Sequence, residues 1–237
     1  MKTVSTLALA AALLAGTILS ANAADLPSAK QPPVFVDVAQ SPWMVRVRAV
    51  GVIPQESTGN FRVFGAPVPG EKVEVSDSVI PELDITYFFT PNFAAELVLG
   101  TTPHNLSLKD NAGLLGPTGA KYAVGRTWLL PPTLTAQYHF TNFGAFKPYV
   151  GAGLNYTIFY GEDAKGLITR LSVKDSVGFA LQAGFDYMLD KHWGINFDVK
   201  KLWLQTEAKA SVLGVVPVKT KVNIDPWLVG VGVTYRF

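Results

Sequence analysis

The chain has no cysteine and only three histidines among its 237 residues. Without thiols it can form neither a disulfide nor a thiolate metal site, so stability in an exported form must come from elsewhere. Charge is scarce as well: Asp, Glu, Lys and Arg make up 16% of the chain, and 20 cations against 18 carboxylates leave a formal net charge of +2. That balance carries no electrostatic footprint for nucleic acid. Beyond the N-terminal segment no run of about 18 apolar residues occurs, which argues against transmembrane helices. Yet 49% of the residues are hydrophobic, high for a soluble β-protein. One other membrane solution fits such a chain, a closed barrel in which every backbone amide pairs with a neighbouring strand.

The N-terminus reads as an export signal. Lys2 supplies a positive start, Leu7 to Leu19 an apolar stretch, and Ala21-Asn22-Ala23 a small-x-small cleavage site, so 1–23 is expected to be a signal peptide. Residues 24–42, with Pro27, Pro32 and Pro33, are expected to form an extended periplasmic segment, and 43–237 a barrel.

Period-two alternation marks eight strands. The clearest is the last: Trp227, Val229, Val231, Val233, Tyr235 and Phe237 share one face, while Gly230, Gly232, Thr234 and Arg236 share the other. The remaining seven are Trp43 to Ile53, Val79 to Phe89, Phe93 to Thr101, Trp128 to Phe140, Phe146 to Tyr160, Val173 to Tyr187 and Trp193 to Gln205. The final strand is expected to begin near Val222, with a bulge or change of parity at Asp225-Pro226. Connections alternate between tight turns, such as Thr90 to Asn92, and extended loops at 54–77, 104–127, 161–170 and 208–221. Short periplasmic turns, long extracellular loops and strands of about ten residues predict an all-β fold, an eight-stranded antiparallel transmembrane barrel of the bacterial outer membrane. Trp43, Trp193, Trp227, Tyr235 and Phe237 are expected at the membrane interfaces.

The polar parity would point inward. Arg46, Arg48, Glu82, Asp84, Glu96, Gln137, His139, Lys147, Gln182, Asp186, Asp198 and Lys200 would share a lumen just wide enough for side chains or one small ligand. Either these groups pair with one another as a salt-bridged plug, or some of them border a passage. In the long loops, Phe61, Phe64, Leu106, Leu108, Leu114, Leu115, Leu213 and Val215 form a candidate apolar funnel. Alternatively they order the loops or reach the outer leaflet. His104, His139 and His192 fall in separate regions, and the nearest hydroxyl on the face of His139 is Thr141, so no catalytic triad, metal site or cofactor is expected.

The stretches Leu83 to Thr90, Leu130 to Phe140, Phe146 to Tyr156 and Gly230 to Phe237 resemble the outer membrane protein W family, which includes the alkane-uptake protein AlkL, over nearly the whole exported part in order. The resemblance implies an eight-stranded barrel with a narrow hydrophobic channel, from which small apolar molecules can leave sideways into the membrane. It also implies that the barrel-assembly machinery reads the C-terminal Phe237. Residue-by-residue matching does not extend to the loops, so no gating residue carries over. Two functions stay open: passive uptake of small hydrophobic solutes, or a structural or surface-interaction barrel with a closed lumen. A general polar porin is disfavoured, because aqueous channels go with about 16 strands.

Overall fold

The computed structural model describes residues 41–237, all within the compact unit Phe35–Phe237. The expected signal peptide at 1–23 and nearly all of the expected periplasmic segment lie outside the described residues. Fifteen strands follow one another: β1 Trp43–Ile53, β2 Ser57–Val63, β3 Ala66–Pro67, β4 Lys72–Val75, β5 Ser78–Phe88, β6 Phe93–Gly100, β7 Thr102–Asp110, β8 Ala120–Leu130, β9 Thr133–His139, β10 Phe146–Ala164, β11 Ile168–Val173, β12 Ser176–Met188, β13 Trp193–Val212, β14 Val216–Asn223 and β15 Trp227–Arg236. No helix among the described residues is long and apolar enough to cross a membrane, a statement that does not bear on crossing by strands.

Eight of the strands close a ring. Antiparallel ladders join β1 to β5, β5 to β6, β6 to β9, β9 to β10, β10 to β12, β12 to β13 and β13 to β15. The seam is β15 against β1, running unbroken from Met44 beside Arg236 to Ile53 beside Trp227. Beyond its lower end, Ser41 N donates to Phe237 O at 3.0 Å and Phe237 N to Trp43 O at 3.2 Å.

Alternation then sorts the side chains. Val47, Leu97, Leu134, Leu154, Phe179, Ile195 and Val231 are exposed on the outer wall, as a lipid-facing surface requires. Aromatic contacts band both ends. Near the tight turns Trp43 meets Tyr87, Phe93 meets Tyr138 and Trp193 meets Tyr235, with ring centroids 4.8–5.0 Å apart. At the other end Trp128 stacks on Tyr160 at 6.4 Å and Lys201 Nζ lies 5.0 Å from the Trp227 ring centre.

The structure revises several segment boundaries. The stretch Trp128 to Phe140 is two strands, because Pro131 and Pro132 lack the N–H groups that would continue a ladder. Val173 to Tyr187 likewise divides between β11 and β12 at Lys174-Asp175, where the Asp175 carboxylate accepts Phe159 N at 3.0 Å. The last strand starts at Trp227 rather than near Val222. Asp225 turns that corner at φ 34°, and its carboxylate accepts Leu204 N at 2.9 Å. The four expected loops are largely sheet: β2, β3 and β14 continue from β13 on one side, and β4, β7 and β8 continue from β10 on the other. β14 alternates Val218, Thr220 and Val222 against Lys219 and Lys221, which is the signature of a half-solvated strand rather than a lipid-facing one.

Close strand approach inside the ring demands small residues at particular places. A Cβ at Gly153 would collide with the Leu134 carbonyl oxygen and stand 2.7 Å from Thr135 Cα across the β9–β10 ladder. Gly153→Ala is therefore expected to destabilise the barrel by about 1–3 kcal/mol. Urea unfolding of the protein refolded into lipid vesicles checks this, and an unchanged midpoint would refute the packing argument.

Candidate functional site

The lumen is stacked in three tiers, and their order follows from the inward parity of each strand. Nearest the tight turns, Met44, Phe88 and Ala94 form a small apolar cluster. The Arg236 guanidinium lies 4.2 Å from the Phe88 ring centre, and His139 contacts Phe88 and Tyr149. Lys147 is only half-buried here and donates to Thr141 O at 3.3 Å.

The middle tier is ionic. Arg46 grips Asp186 with two nitrogens, Nε to Oδ1 at 3.0 Å and Nη2 to Oδ2 at 2.6 Å, and also pairs with Glu96. Arg48, one inward step higher, meets Asp84 at 2.6 Å, Glu82 at 3.0 Å and Asp198 at 3.3 Å. Lys200 pairs with Glu82 at 3.2 Å. Register explains one of these meetings directly, since Arg48 lies beside Glu82 on β1 and β5; Arg46 instead reaches across the lumen to Glu96 on β6 and Asp186 on β12. Gln182 ties the opposite walls together, donating to Glu96 at 2.9 Å and Asp198 at 2.8 Å, and Tyr149 donates its hydroxyl to Asp198 at 2.8 Å. Gln137 joins through Gln182 at 3.2 Å and His139 at 2.9 Å. Three cations, Arg46, Arg48 and Lys200, thus face five carboxylates, Glu82, Asp84, Glu96, Asp186 and Asp198, and all eight are buried. Most of these ions persist at this depth because more than one partner meets them, whereas Asp84 has Arg48 alone among the described residues and neither of its oxygens accepts a hydrogen bond there.

Above the ions the wall turns apolar. Val50, Val52, Ile80, Leu129, Phe159, Ala180, Leu202, Leu204, Ile224 and Leu228 belong to one buried cluster. Val52, Ile80, Leu129, Leu202, Leu204, Ile224 and Leu228 of this cluster line a small cavity of about 40 Å³, together with Glu82 and Lys200 from the ionic tier. His104 and Thr102 line the same cavity. His104 Nδ1 reaches Ser76 O at 2.5 Å and Nε2 reaches Thr102 Oγ1 at 2.9 Å. Burial holds this imidazole below its ordinary pKa, against the raising effect of the bond to Ser76 and the charge of Asp77.

Beside the cavity the backbone ladder is interrupted, with Thr101 Oγ1 donating to Leu129 O at 3.2 Å at one end of the gap. The β6–β9 ladder ends at Val98 beside Thr133, and pairing resumes only at Thr102 beside Leu129 on β7 and β8. Between them Leu99 to Thr101 face Pro131 and Pro132, and Gly100 and Pro131 both line the cavity.

The loop residues considered for a funnel divide. Phe61, Leu106 and Leu108 are buried within the hairpins, Leu115 is half-buried, and Phe64, Leu114, Leu213 and Val215 are exposed. The apolar tier itself, Val50, Val52, Ile80, Leu202, Leu204 and Leu228, was missed by sequence reasoning. Its signal was available: the inward parity of β1 passes from Arg46 and Arg48 to Val50 and Val52, and that of β13 from Asp198 and Lys200 to Leu202 and Leu204.

A family model described as the OmpW family matches residues 40–237. An outer-membrane protein of Sinorhizobium fredii, y4mB, is 53% identical over 98% of this chain and 95% of its own length. The crystal structure of OprG from Pseudomonas aeruginosa superposes with a TM-score of 0.75 at 32% identity, covering 84% of this chain and 97% of that one. The solid-state NMR structure of AlkL, the outer membrane protein of Ectopseudomonas oleovorans, gives a TM-score of 0.61 at 27% identity, over 91% and 97%.

Two outcomes follow from this geometry. Arg48→Leu strands several buried carboxylates and is expected to cost about 3–5 kcal/mol, and adding Asp84→Asn should return part of that loss in urea titrations. At pH about 6.5, where a free imidazole is half protonated, ¹⁵N shifts should report His104 as neutral with its proton on Nδ1. Stability linked to this ring is complete above the ordinary imidazole range and declines as acid protonates it. A half-protonated ring at that pH would contradict the burial argument.

Proposed function

Because the chain belongs to the OmpW family of bacterial outer-membrane barrels, we propose that it is a narrow conduit for passive uptake of small hydrophobic molecules. The observation that carries this reading is the apolar upper lumen, with a lipophilic cavity lying against the ionic tier. An apolar solute gains about 25 cal/mol per Å² of surface removed from water, so the cavity concentrates such molecules from dilute solution. Continuing down the axis would mean displacing Arg48 and Lys200 from their carboxylates, which no hydrocarbon can replace. The interruption between Leu99 to Thr101 and Pro131-Pro132 offers the cheaper way out, sideways into the bilayer. No backbone donor is stranded there by the prolines, which have none. The resemblance to a family with an alkane-uptake member supports the same route. On this reading the protein is not an enzyme. The barrel-assembly machinery would recognise the strand ending in Phe237, after removal of a signal peptide at 1–23.

One feature favours the second reading, a surface-interaction barrel with a closed lumen. Phe64, Leu213 and Val215 are exposed at the hairpin tips, where a partner could meet them. The two are separated by uptake of a radiolabelled alkane into cells with and without the protein. Faster uptake is expected with it, and equal rates would refute the conduit. Leu202→Asp should reduce that uptake by about tenfold, since an unpaired carboxylate makes the cavity poor for an apolar solute by at least 1.4 kcal/mol. Gly100→Phe, whose ring would project into the cavity beside Ile80, should do the same.

A further inference from the structure

The hairpins above the barrel carry cations that the conduit does not use. Register sets Lys209 beside Lys219 on β13 and β14, and Lys219 beside Arg62 on β2. A second row sets Lys72 beside Lys109 on β4 and β7, and Lys109 beside Lys121 on β8. Neighbours in a row sit about 5 Å apart from strand to strand. Five of the six are exposed and Lys109 is half-buried, whereas the alternate residues Thr206, Thr220 and Val222 in one hairpin and Leu106 and Leu108 in the other are buried. Both rows therefore face outward.

Like charges directly opposite on neighbouring strands weaken a sheet. Two carboxylates lie against these rows: Glu207 meets Lys219 at 2.8 Å and Lys209 at 3.8 Å, and Glu74 meets Lys121 at 2.7 Å. Glu207 also serves Lys174 at 3.3 Å, so the cations outnumber the acids around them. Height is informative too. On β13 the exposed Trp203 shares the outer parity, and Lys209 stands six residues beyond it. That is roughly 20 Å of strand, or about 14 Å of height at a 45° tilt. Aromatic residues mark the edge of the hydrocarbon, so Lys209 stands beyond that edge, on the polar side of the membrane.

We propose that the two rows form a binding surface for the phosphate groups of the anionic glycolipid in the outer leaflet. Neighbouring ammonium and guanidinium groups share phosphate oxygens through charge-assisted hydrogen bonds, and the anion relieves the repulsion within each row. The surface is independent of the lumen, so it stands or falls apart from the conduit.

The test is native mass spectrometry of the full protein titrated with bis-phosphorylated lipid A and, in parallel, with the same lipid stripped of phosphate. Expected is retention of the phosphorylated form, with at least about tenfold weaker retention in a variant carrying Arg62→Gln, Lys72→Gln, Lys109→Gln, Lys121→Gln, Lys209→Gln and Lys219→Gln. Lys191→Gln, in a turn at the opposite end, should behave as the parent. Equal retention of both lipids by the parent, or undiminished retention by the six-substituted variant, would overturn the proposal. Should that variant fail a heat-modifiable mobility check on a gel, the two three-substituted rows are tested separately. Each is expected to lose affinity, and loss in neither overturns the proposal equally.

Discussion

In hydrocarbon there is no water to satisfy a free N–H, so everything in this molecule depends on β15 finding β1. An open sheet of these strands would present two unpaired edges to lipid. The ladder from Met44 beside Arg236 to Ile53 beside Trp227 removes both. Once the ring closes, inside and outside exist, and the alternation along each strand acquires two destinations. Val231 and Val233 meet lipid only because Gly232 and Thr234 have been turned inward by the same pleat.

Closure also creates the electrostatic problem that the lumen answers. Inward residues from opposite walls come within side-chain reach, and Arg46, Arg48 and Lys200 become soluble in the interior only as members of one network. Asp186 lies 140 residues from Arg46, and its pairing joins β12 to β1 across the lumen. The tier is consequently a cross-brace between opposite walls of the ring. Its upper boundary is abrupt: on β1 the next inward residues are Val50 and Val52, so the dielectric changes over about two residues of strand.

Above the membrane the wall continues as hairpins. Their backbone groups are paired in ladders such as Lys72 to Val75 against Leu106 to Lys109, which positions the cavity mouth more firmly than irregular loops would. Their inner faces bury Phe61, Leu106 and Leu108, while the outer faces carry lysine and arginine. The same period-two rule thus sorts side chains in the hairpins as it does in the ring.

The barrel was legible because strand alternation is local. The run from Trp227 to Phe237 declares its two faces without reference to any other residue, and so do Trp43 to Ile53 and Phe146 to Tyr160. Parity likewise put Arg46, Arg48, Glu82 and Asp198 on the polar side. Height was not legible. Whether Val50 tops an ionic layer or faces another charge depends on the stagger between strands, which only ring closure sets. The strand break at Pro131-Pro132 was hidden because Leu130, Pro132 and Leu134 keep the alternation, while at Lys174-Asp175 the faces exchange, Val173 being buried and Val177 exposed. The hairpins were read as loops because Lys219 and Lys221 suit water rather than lipid. The sequence by itself determined which side chains leave each strand on the same side. Tertiary structure alone decided which of them meet, because the partners lie on strands far apart in the chain, brought level by the register of a closed sheet.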